Sequence, residues 1–386
     1  MKAACKFTGR FCIEIASICL ISMSIDEKQN RSYALFNSRK CVKLVYIRPF
    51  ILKIHQTEEN TMKLTQLYAG VALALGLAVA GSAVAQPTTQ ASTQNTQAQD
   101  NRLILLGTQG GPRVGVKRAN PANLIVINGK KFVVDAGYGV SIQMVKAGYR
   151  LQDLDYIFIT HMHSDHTLEY GNLFYNAWVT GGLKKPVQVY GPTGMKNMTE
   201  AFFKTNEIDI STRMADEDRA DPRKLIQVHE IQKLNPVFNQ DGVKVSAIKS
   251  IHPPFDETYS FKFEFNGKTV VFSGDTAYNK DMVAFAKGAD YLVHEVQYED
   301  GIRRLAKKLA GDSQSAEQQY QHFKGSHTNT EELGRLAQAA GVKNLVLTHY
   351  VPGDDPLISD AMWEEGVKQF YQGNVVVGKD LTSIDL

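Results

Sequence analysis

Ile157-Phe158-Ile159-Thr160-His161-Met162-His163-Ser164-Asp165-His166 decides how the rest of the chain is read: an apolar run passes directly into three imidazoles and a carboxylate within six residues. Cheaper polar residues would serve any purely structural purpose in such a loop. On a tight turn His161 and His163 can face one cation while Asp165 and His166 face a second. Zinc accepts N and O ligands at about 2.0–2.2 Å, and a bridging carboxylate would hold two ions about 3.5–4 Å apart, the spacing used in two-metal hydrolysis.

Working outward, other apolar runs end the same way. They read VVFSG-Asp275, YLV-His294-Glu295, LVLT-His349 and VSAIKSI-His252. Sites in layered α/β folds gather at strand ends, and one such ending is unremarkable where five are not. The spacing predicts strands at Leu103–Leu106, Leu124–Ile127, Lys131–Val134, Tyr156–Thr160, Val187–Tyr190, Val243–Ile248, Tyr259–Phe265, Thr269–Ser273, Tyr291–Val293, Leu345–Leu347 and Val375–Val377. Asn128-Gly129 and Asn266-Gly267 signal tight hairpins. Helical periodicity covers Ser141–Ala147, Leu168–Thr180, Thr193–Thr205, Asp281–Lys287, Thr330–Ala340 and Ser359–Tyr371. Strands alternating with helices imply a layered α/β architecture. Tyr170, Phe174 and Trp178 recur at i, i+4 and read as a core stripe. Asn206–Gln240 is polar, carries a charge run and lacks clear periodicity, so it reads as a solvated loop, with a substrate-covering insertion as the alternative.

The 386 residues are not uniform. Residues 1–61 carry ten Lys/Arg against five Asp/Glu and hold all four cysteines, Cys5, Cys12, Cys19 and Cys41. Residues 86–386 hold 32 basic and 35 acidic side chains and no cysteine. That excludes a disulfide scaffold, a Cys-ligated zinc module and a cysteine nucleophile there, and it disfavours a basic nucleic-acid-binding domain. Met62-Lys63 opens an Ala/Gly-rich apolar run ending in Ala83-Val84-Ala85, the layout of a secretory signal peptide at 62–85. The simplest account takes Met62 as the start of translation and 1–61 as an upstream extension. Residues 86–100, polar and low in complexity, read as a flexible linker. A folded body is then expected over 101–386, a single domain after a cleaved leader, located in the periplasm or secreted.

The H-x-H-x-D-H loop, with LGTQGGPR (Leu106–Arg113), FVVDAG ending at Gly137, VYGPTG (Val189–Gly194), SGDT (Ser273–Thr276), HEV (His294–Val296), SHT (Ser326–Thr328) and LTHY (Leu347–Tyr350), resembles the metallo-β-lactamase superfamily. Within it the chain is most similar to the branch holding tRNase Z and secreted arylsulfatase-like and cyclic-nucleotide phosphodiesterase-like proteins. The resemblance implies a four-layer αββα sandwich with a dinuclear site at one edge of its sheets. It implies that His161, His163 and His252 hold one metal, that Asp165, His166 and His349 hold the other, and that Asp275 bridges them. His229 competes for the place of His252. Asp135 resembles the buried carboxylate that orients ligands, or is simply a turn residue. The metals would be two divalent ions, zinc by default, with Mn²⁺ or Fe²⁺ also suited to N/O ligands.

The resemblance further implies attack by a metal-bridging hydroxide, with Asp165 accepting its remaining proton. Glu295 and His327 resemble a Glu–His pair that protonates the leaving group, although His327 could equally sit at a helix start, where Thr328 and Thr330 would cap. His294 reads as buried and structural, and His322 as loop surface. The expected function is hydrolysis of phosphodiester or aryl sulfate esters of small molecules. The alternatives are a tRNase Z-type endoribonuclease, a lactone or β-lactam hydrolase, and a non-catalytic metal-binding protein. Nucleic acid is disfavoured as a partner, no stable membrane association is expected after signal cleavage, and a homodimer stays open.

Overall fold

The computed structural model describes residues 22–26, 31–38, 41–47 and 101–386, apart from 116. The leader and linker expected at 62–85 and 86–100 lie outside the described residues. The chain divides into two compact units, Met1–Ser92 and Thr93–Leu386. In the first, β1 (Ser22–Asp26), β2 (Arg31–Ser38) and β3 (Cys41–Ile47) form an antiparallel sheet in that order.

The second unit carries β4 (Arg102–Gly107), β5 (Ala122–Ile127), β6 (Lys130–Val134), β7 (Tyr156–Phe158), β8 (Val187–Gly191) and β9 (Ile226–Glu230). It continues with β10 (Phe238–Gln240), β11 (Val243–Lys249), β12 (Tyr259–Phe265), β13 (Lys268–Phe272), β14 (Tyr291–Gln297), β15 (Asn344–Val351), β16 (Asn374–Val377) and β17 (Ser383–Asp385). Two seven-stranded sheets result, in the orders β17-β4-β5-β6-β7-β8-β9 and β10-β11-β12-β13-β14-β15-β16. Each begins with antiparallel hairpins and turns parallel partway, from β6 to β7 in one and from β13 to β14 in the other.

The period-2 alternation of strands explains the layering. In β4, Leu103 and Leu105 face an inter-sheet core with Phe132, Phe158, Phe261, Phe263 and Phe272, while Ile104 and Leu106 face helices. Those helices are α1 (Val140–Lys146), α2 (Ser164–Thr167), α3 (Tyr170–Gly181), α4 (Met195–Thr205) and α5 (Glu207–Glu217). On the far face of the other sheet, Val271, Leu292, Leu345 and Leu347 pack on α6 (Lys280–Phe285), α9 (Thr330–Ala340) and α10 (Asp360–Lys368). The helical hairpin α7 (Glu299–Leu309) and α8 (Ser313–Ser326) lies between β14 and α9 in the chain. Helix, sheet, sheet and helix form the four-layer sandwich. Inner strands such as β4, β5, β14 and β15 are buried on both faces, so they read as near-continuous apolar runs.

Both Asn-Gly hairpins form. Asn128 and Gly129 have φ 51° and 76°, and Asn266 and Gly267 have φ 46° and 74°, the two positive dihedrals a type I′ turn needs. Asn266 Nδ2 donates to Asn128 Oδ1 at 2.8 Å, so the two turns are tied together.

Three readings need correction. Asn206–Gln240 is not a loop: it holds α5, a short 3₁₀ turn at Pro222–Lys224, β9 and β10. Ile210 is the buried residue of α5, and ion pairs of Arg213 with Asp209 and Glu217 at 2.9 Å line its surface. A helix supported by i,i+4 charges shows little apolar periodicity. The cap of α9 is Asn329, in a capping box with Glu332, rather than Thr328 or Thr330. His322 lies on helix α8, exposed, rather than in a loop.

Candidate metal centre

The H-x-H-x-D-H segment leaves β7 and enters α2, whose first turn carries Asp165 and His166. Its close approach to the segment after β6 requires Gly137, where an added Cβ would lie 2.1 Å from the Asp165 carbonyl. From the opposite sheet come His252 after β11, Asp275 after β13 and His349 within β15. His349 is reached by a bulge. Glu295 pairs with Thr348 and Val296 pairs with Tyr350, so His349 is the extra residue, at φ 44°. Bulges re-aim side chains in this way.

All seven residues converge. His163 Nδ1 lies 3.0 Å from His161 Nε2 and 3.0 Å from His252 Nε2. His166 Nε2 lies 3.3 Å from His349 Nε2, and Asp165 Oδ2 is 3.5 Å from each. Asp275 reaches both groups. Its Oδ2 lies 3.9 Å from His161 Nε2 and 3.8 Å from His252 Nε2, and its Oδ1 lies 3.3 Å from His166 Nε2 and 3.1 Å from His349 Nε2. Despite that proximity the buried Oδ1 accepts no aligned hydrogen bond. An unpartnered buried carboxylate oxygen among crowded imidazole nitrogens suits a set of ligands around a cation. Among the described residues, His161/His163/His252 and Asp165/His166/Asp275/His349 each hold their ligand atoms within 4.8 Å of one another. Imidazole and carboxylate donors without thiolate suit zinc and other first-row divalent ions.

Outer partners fix the rings. The Nδ1 of His161 meets Thr160 Oγ1 at 3.0 Å, that of His166 meets Asp135 Oδ2 at 2.8 Å, and that of His252 meets the Ser326 carbonyl at 2.8 Å. Each contact directs Nε2 inward, as supporting carboxylates and carbonyls do at metal sites. Asp135 is therefore a turn residue, with φ 64°, and also the support of His166. It accepts from Thr160 N at 2.8 Å as well.

The two groups differ electrostatically. Burial holds the His161 imidazole well below its ordinary pKa and pushes His252 down to about 4, so both are ready to bind as neutral ligands. Burial opposes charge on His166 too, but the carboxylates of Asp275, Asp135 and Asp165 outweigh it and raise that pKa. His349 is likewise raised, to about 10, because Asp275 and Asp165 outweigh its burial.

At the rim, His327 Nδ1 lies 3.2 Å from both carboxylate oxygens of Glu295. Glu295 also accepts from Thr276 N at 3.0 Å and Thr328 N at 3.2 Å. Burial disfavours charge on His327, yet the Glu295 carboxylate outweighs it and raises the pKa. The His327 ring lies 5.6 Å from that of His349 and 5.1 Å from that of His252.

His229 is exposed on β9, bonded to Gln188 at 2.7 Å and away from both groups. His294 is fully buried, its Nδ1 against the Glu295 carbonyl at 2.7 Å. Tyr170, Phe174 and Trp178 are core. Sequence reasoning missed Thr160, Ser326 and Gln297. Gln297 Nε2 donates to the His327 carbonyl at 2.6 Å. Its position two residues after Glu295, on the same strand face, is the signal that could have found it.

The fold and the site define a class, that of metal-dependent hydrolases on the metallo-β-lactamase fold. Residues 101–310, more than half of the chain, match a family model described as Anti-Pycsar protein Apyc1. A ribonuclease Z of Mycobacterium bovis is 32% identical over 74% of this chain and 98% of its own length. The metallo-β-lactamase fold protein YhfI from Bacillus subtilis superposes with a TM-score of 0.55 at 19% identity, over 74% of this chain and all of its own. Zn²⁺-bound PqqB from Methylobacterium extorquens does so with a TM-score of 0.51 at 14% identity, over 74% of this chain and 100% of its own. The chain belongs to the metallo-β-lactamase superfamily, in its tRNase Z branch, and to the family that the matching model describes.

Proposed function

We propose that the chain hydrolyses phosphodiester or aryl sulfate esters of small molecules with two divalent cations, zinc foremost. His161, His163 and His252 would hold one and Asp165, His166 and His349 the other, with Asp275 within reach of both groups. Bound there, the cations supply Lewis-acid polarisation of a phosphoryl or sulfuryl oxygen and an acidified water. The chain's own residues do the rest. Asp165 takes the attacking water's remaining proton. His327, held charged by Glu295, donates a proton to the departing oxygen, a contribution typically of about 10²–10⁴-fold.

The observation that carries this reading is the buried His327–Glu295 pair, at 3.2 Å, set against the rings of both clusters. Opening a lactone or β-lactam depends less on a separate leaving-group acid. A second reading, endonucleolytic processing of tRNA, is favoured by the similarity to ribonuclease Z. It is disfavoured by the 35 acidic against 32 basic side chains after residue 85, because nucleic-acid binding draws on phosphate neutralisation by Lys and Arg.

The test is a panel assay on the full chain with a phosphodiester, an aryl sulfate, a lactone, a β-lactam and a tRNA precursor, with and without chelator. Chelator-sensitive turnover of the first two, impaired by His327→Ala, is expected. Chelator-insensitive turnover, or a preference for the ring substrates that ignores His327→Ala, overturns the reading. We also infer export directed by residues 62–85, from the sequence layout of that segment, which N-terminal sequencing of the mature protein from cell fractions checks. Homodimerisation stands as a proposal for light scattering to decide.

A further inference from the structure

Beside the first cluster lies an aromatic ring that proton transfer and metal binding do not use. Phe255 follows His252 by three residues, and its ring centroid is 4.7 Å from that of His163, at 85°, and 6.2 Å from that of His161, at 65°. It is half-buried. The loop that carries it is pinned. Phe255 N donates to the His252 carbonyl at 3.2 Å and Ser250 N donates to that of Thr258 at 2.9 Å. The Glu257 carboxylate accepts from Thr193 N at 2.7 Å and Thr193 Oγ1 at 3.0 Å, just ahead of α4.

The two flanks of the centre are therefore unlike. His327 stands against His252 and His349, whereas Phe255 stands against His163 and His161. A leaving group that takes its proton from His327 departs on one flank. The substituent that stays on phosphorus or sulfur faces the other.

We propose that Phe255 forms a subsite for a planar aromatic group on the non-leaving side of the ester. Shielding His163 alone would need only an aliphatic side chain. A rigid ring at the mouth of a cationic centre adds a stacking surface whose order is already fixed by the loop, so little entropy is lost on binding. Aromatic pairs add selectivity beyond the area they bury, worth about 3- to 10-fold in affinity.

This inference rests on the hydrolase reading for its catalytic arm only. The first measurement compares kcat/KM for bis(p-nitrophenyl) phosphate and methyl p-nitrophenyl phosphate, which share a leaving group and differ in what remains. Phe255→Leu should lower the first about 3- to 10-fold, chiefly through KM, and leave the second unchanged, while Phe255→Tyr retains the wild-type ratio. The second measurement titrates the full, metal-loaded protein with phenylphosphonate and methylphosphonate by calorimetry. Phenylphosphonate should bind more tightly, and Phe255→Leu should abolish the difference. Equal loss on both diesters, or no preference between the phosphonates, overturns the subsite. A phenyl preference in a protein that turns over neither diester overturns the hydrolase reading and leaves the subsite standing.

Discussion

The two halves of the sandwich place the same joint at the candidate centre and use it differently. In one, the Asn128-Gly129 hairpin joins β5 to β6, and the chain beyond β6 reaches Asp135, which accepts from Thr160 beyond β7. In the other, the Asn266-Gly267 hairpin joins β12 to β13, and the chain beyond β13 reaches Asp275 and Thr276, whose N–H donates to Glu295 on β14. Each joint pairs a carboxylate with a threonine across neighbouring parallel strands. In the first half the carboxylate supports His166 from outside. In the second, Asp275 stands inside the centre and the supporting carboxylate, Glu295, turns to His327. A conserved geometry of strands is thus compatible with opposite assignments of load: one joint orients a ligand, and the other supplies one and secures a proton donor.

Exchanging or deleting these groups tests that division. Asp275→Ala should cost most, lowering turnover by more than about 10³-fold, beyond the 10–100-fold typical of outer partners. Elemental analysis should show bound metal falling with it. An unchanged metal content would remove Asp275 from the inside of the centre. Glu295→Gln should lower turnover of esters with poor leaving groups by about 10²-fold and barely affect p-nitrophenyl esters. Equal loss on both would show that Glu295 acts on the centre as Asp135 does. Asp135→Asn should weaken metal affinity about 10–100-fold and leave the leaving-group dependence untouched, as a competitive chelator titration can establish. Gln297→Leu frees the His327 carbonyl and should repeat the Glu295 pattern at about tenfold, with a KM close to wild type. The smallest effect belongs to the hairpins. Asn266→Ala loses a turn residue at positive φ and the bond to Asn128, so a drop of about 1 kcal/mol, read as a lower Tm, is expected.

Legibility in the sequence followed the same divide. His161, His163, Asp165 and His166 are contiguous, so one loop announces them. His252, Asp275 and His349 arrive singly from separate strands and were recognisable because each ends an apolar run. Strands that carry apolar runs are legible between Leu103 and Val377, with ends shifted by a few residues, since Glu295 and His349 look like loop residues yet belong to β14 and β15, whereas the partly exposed β9 and β10 are not. Helix α7 escaped although Ile302, Leu305 and Ala306 form a buried stripe on it, while α5 and α8 are held more by charge pairs and caps. α5 owes its surface to Arg213, and α8 starts on Asp312, which accepts from Ser315 N at 2.8 Å. Backbone groups such as the Ser326 carbonyl leave no mark in a side-chain pattern, and the left-handed turn at His349 is dictated by pairing partners more than fifty positions away.

That turn carries a consequence for how the gene can drift. The strand β15 tolerates its surplus residue only because the neighbour it pairs with skips a beat at Glu295. Losing the His349 codon would smooth the ladder and leave Tyr350 opposite Val296, so the strand would survive while the side chain that the turn aims at the centre would be gone. A library scanned for length variants should therefore show loss of activity with retained folding at this position, whereas a one-residue change within the other buried strands should cost folding itself.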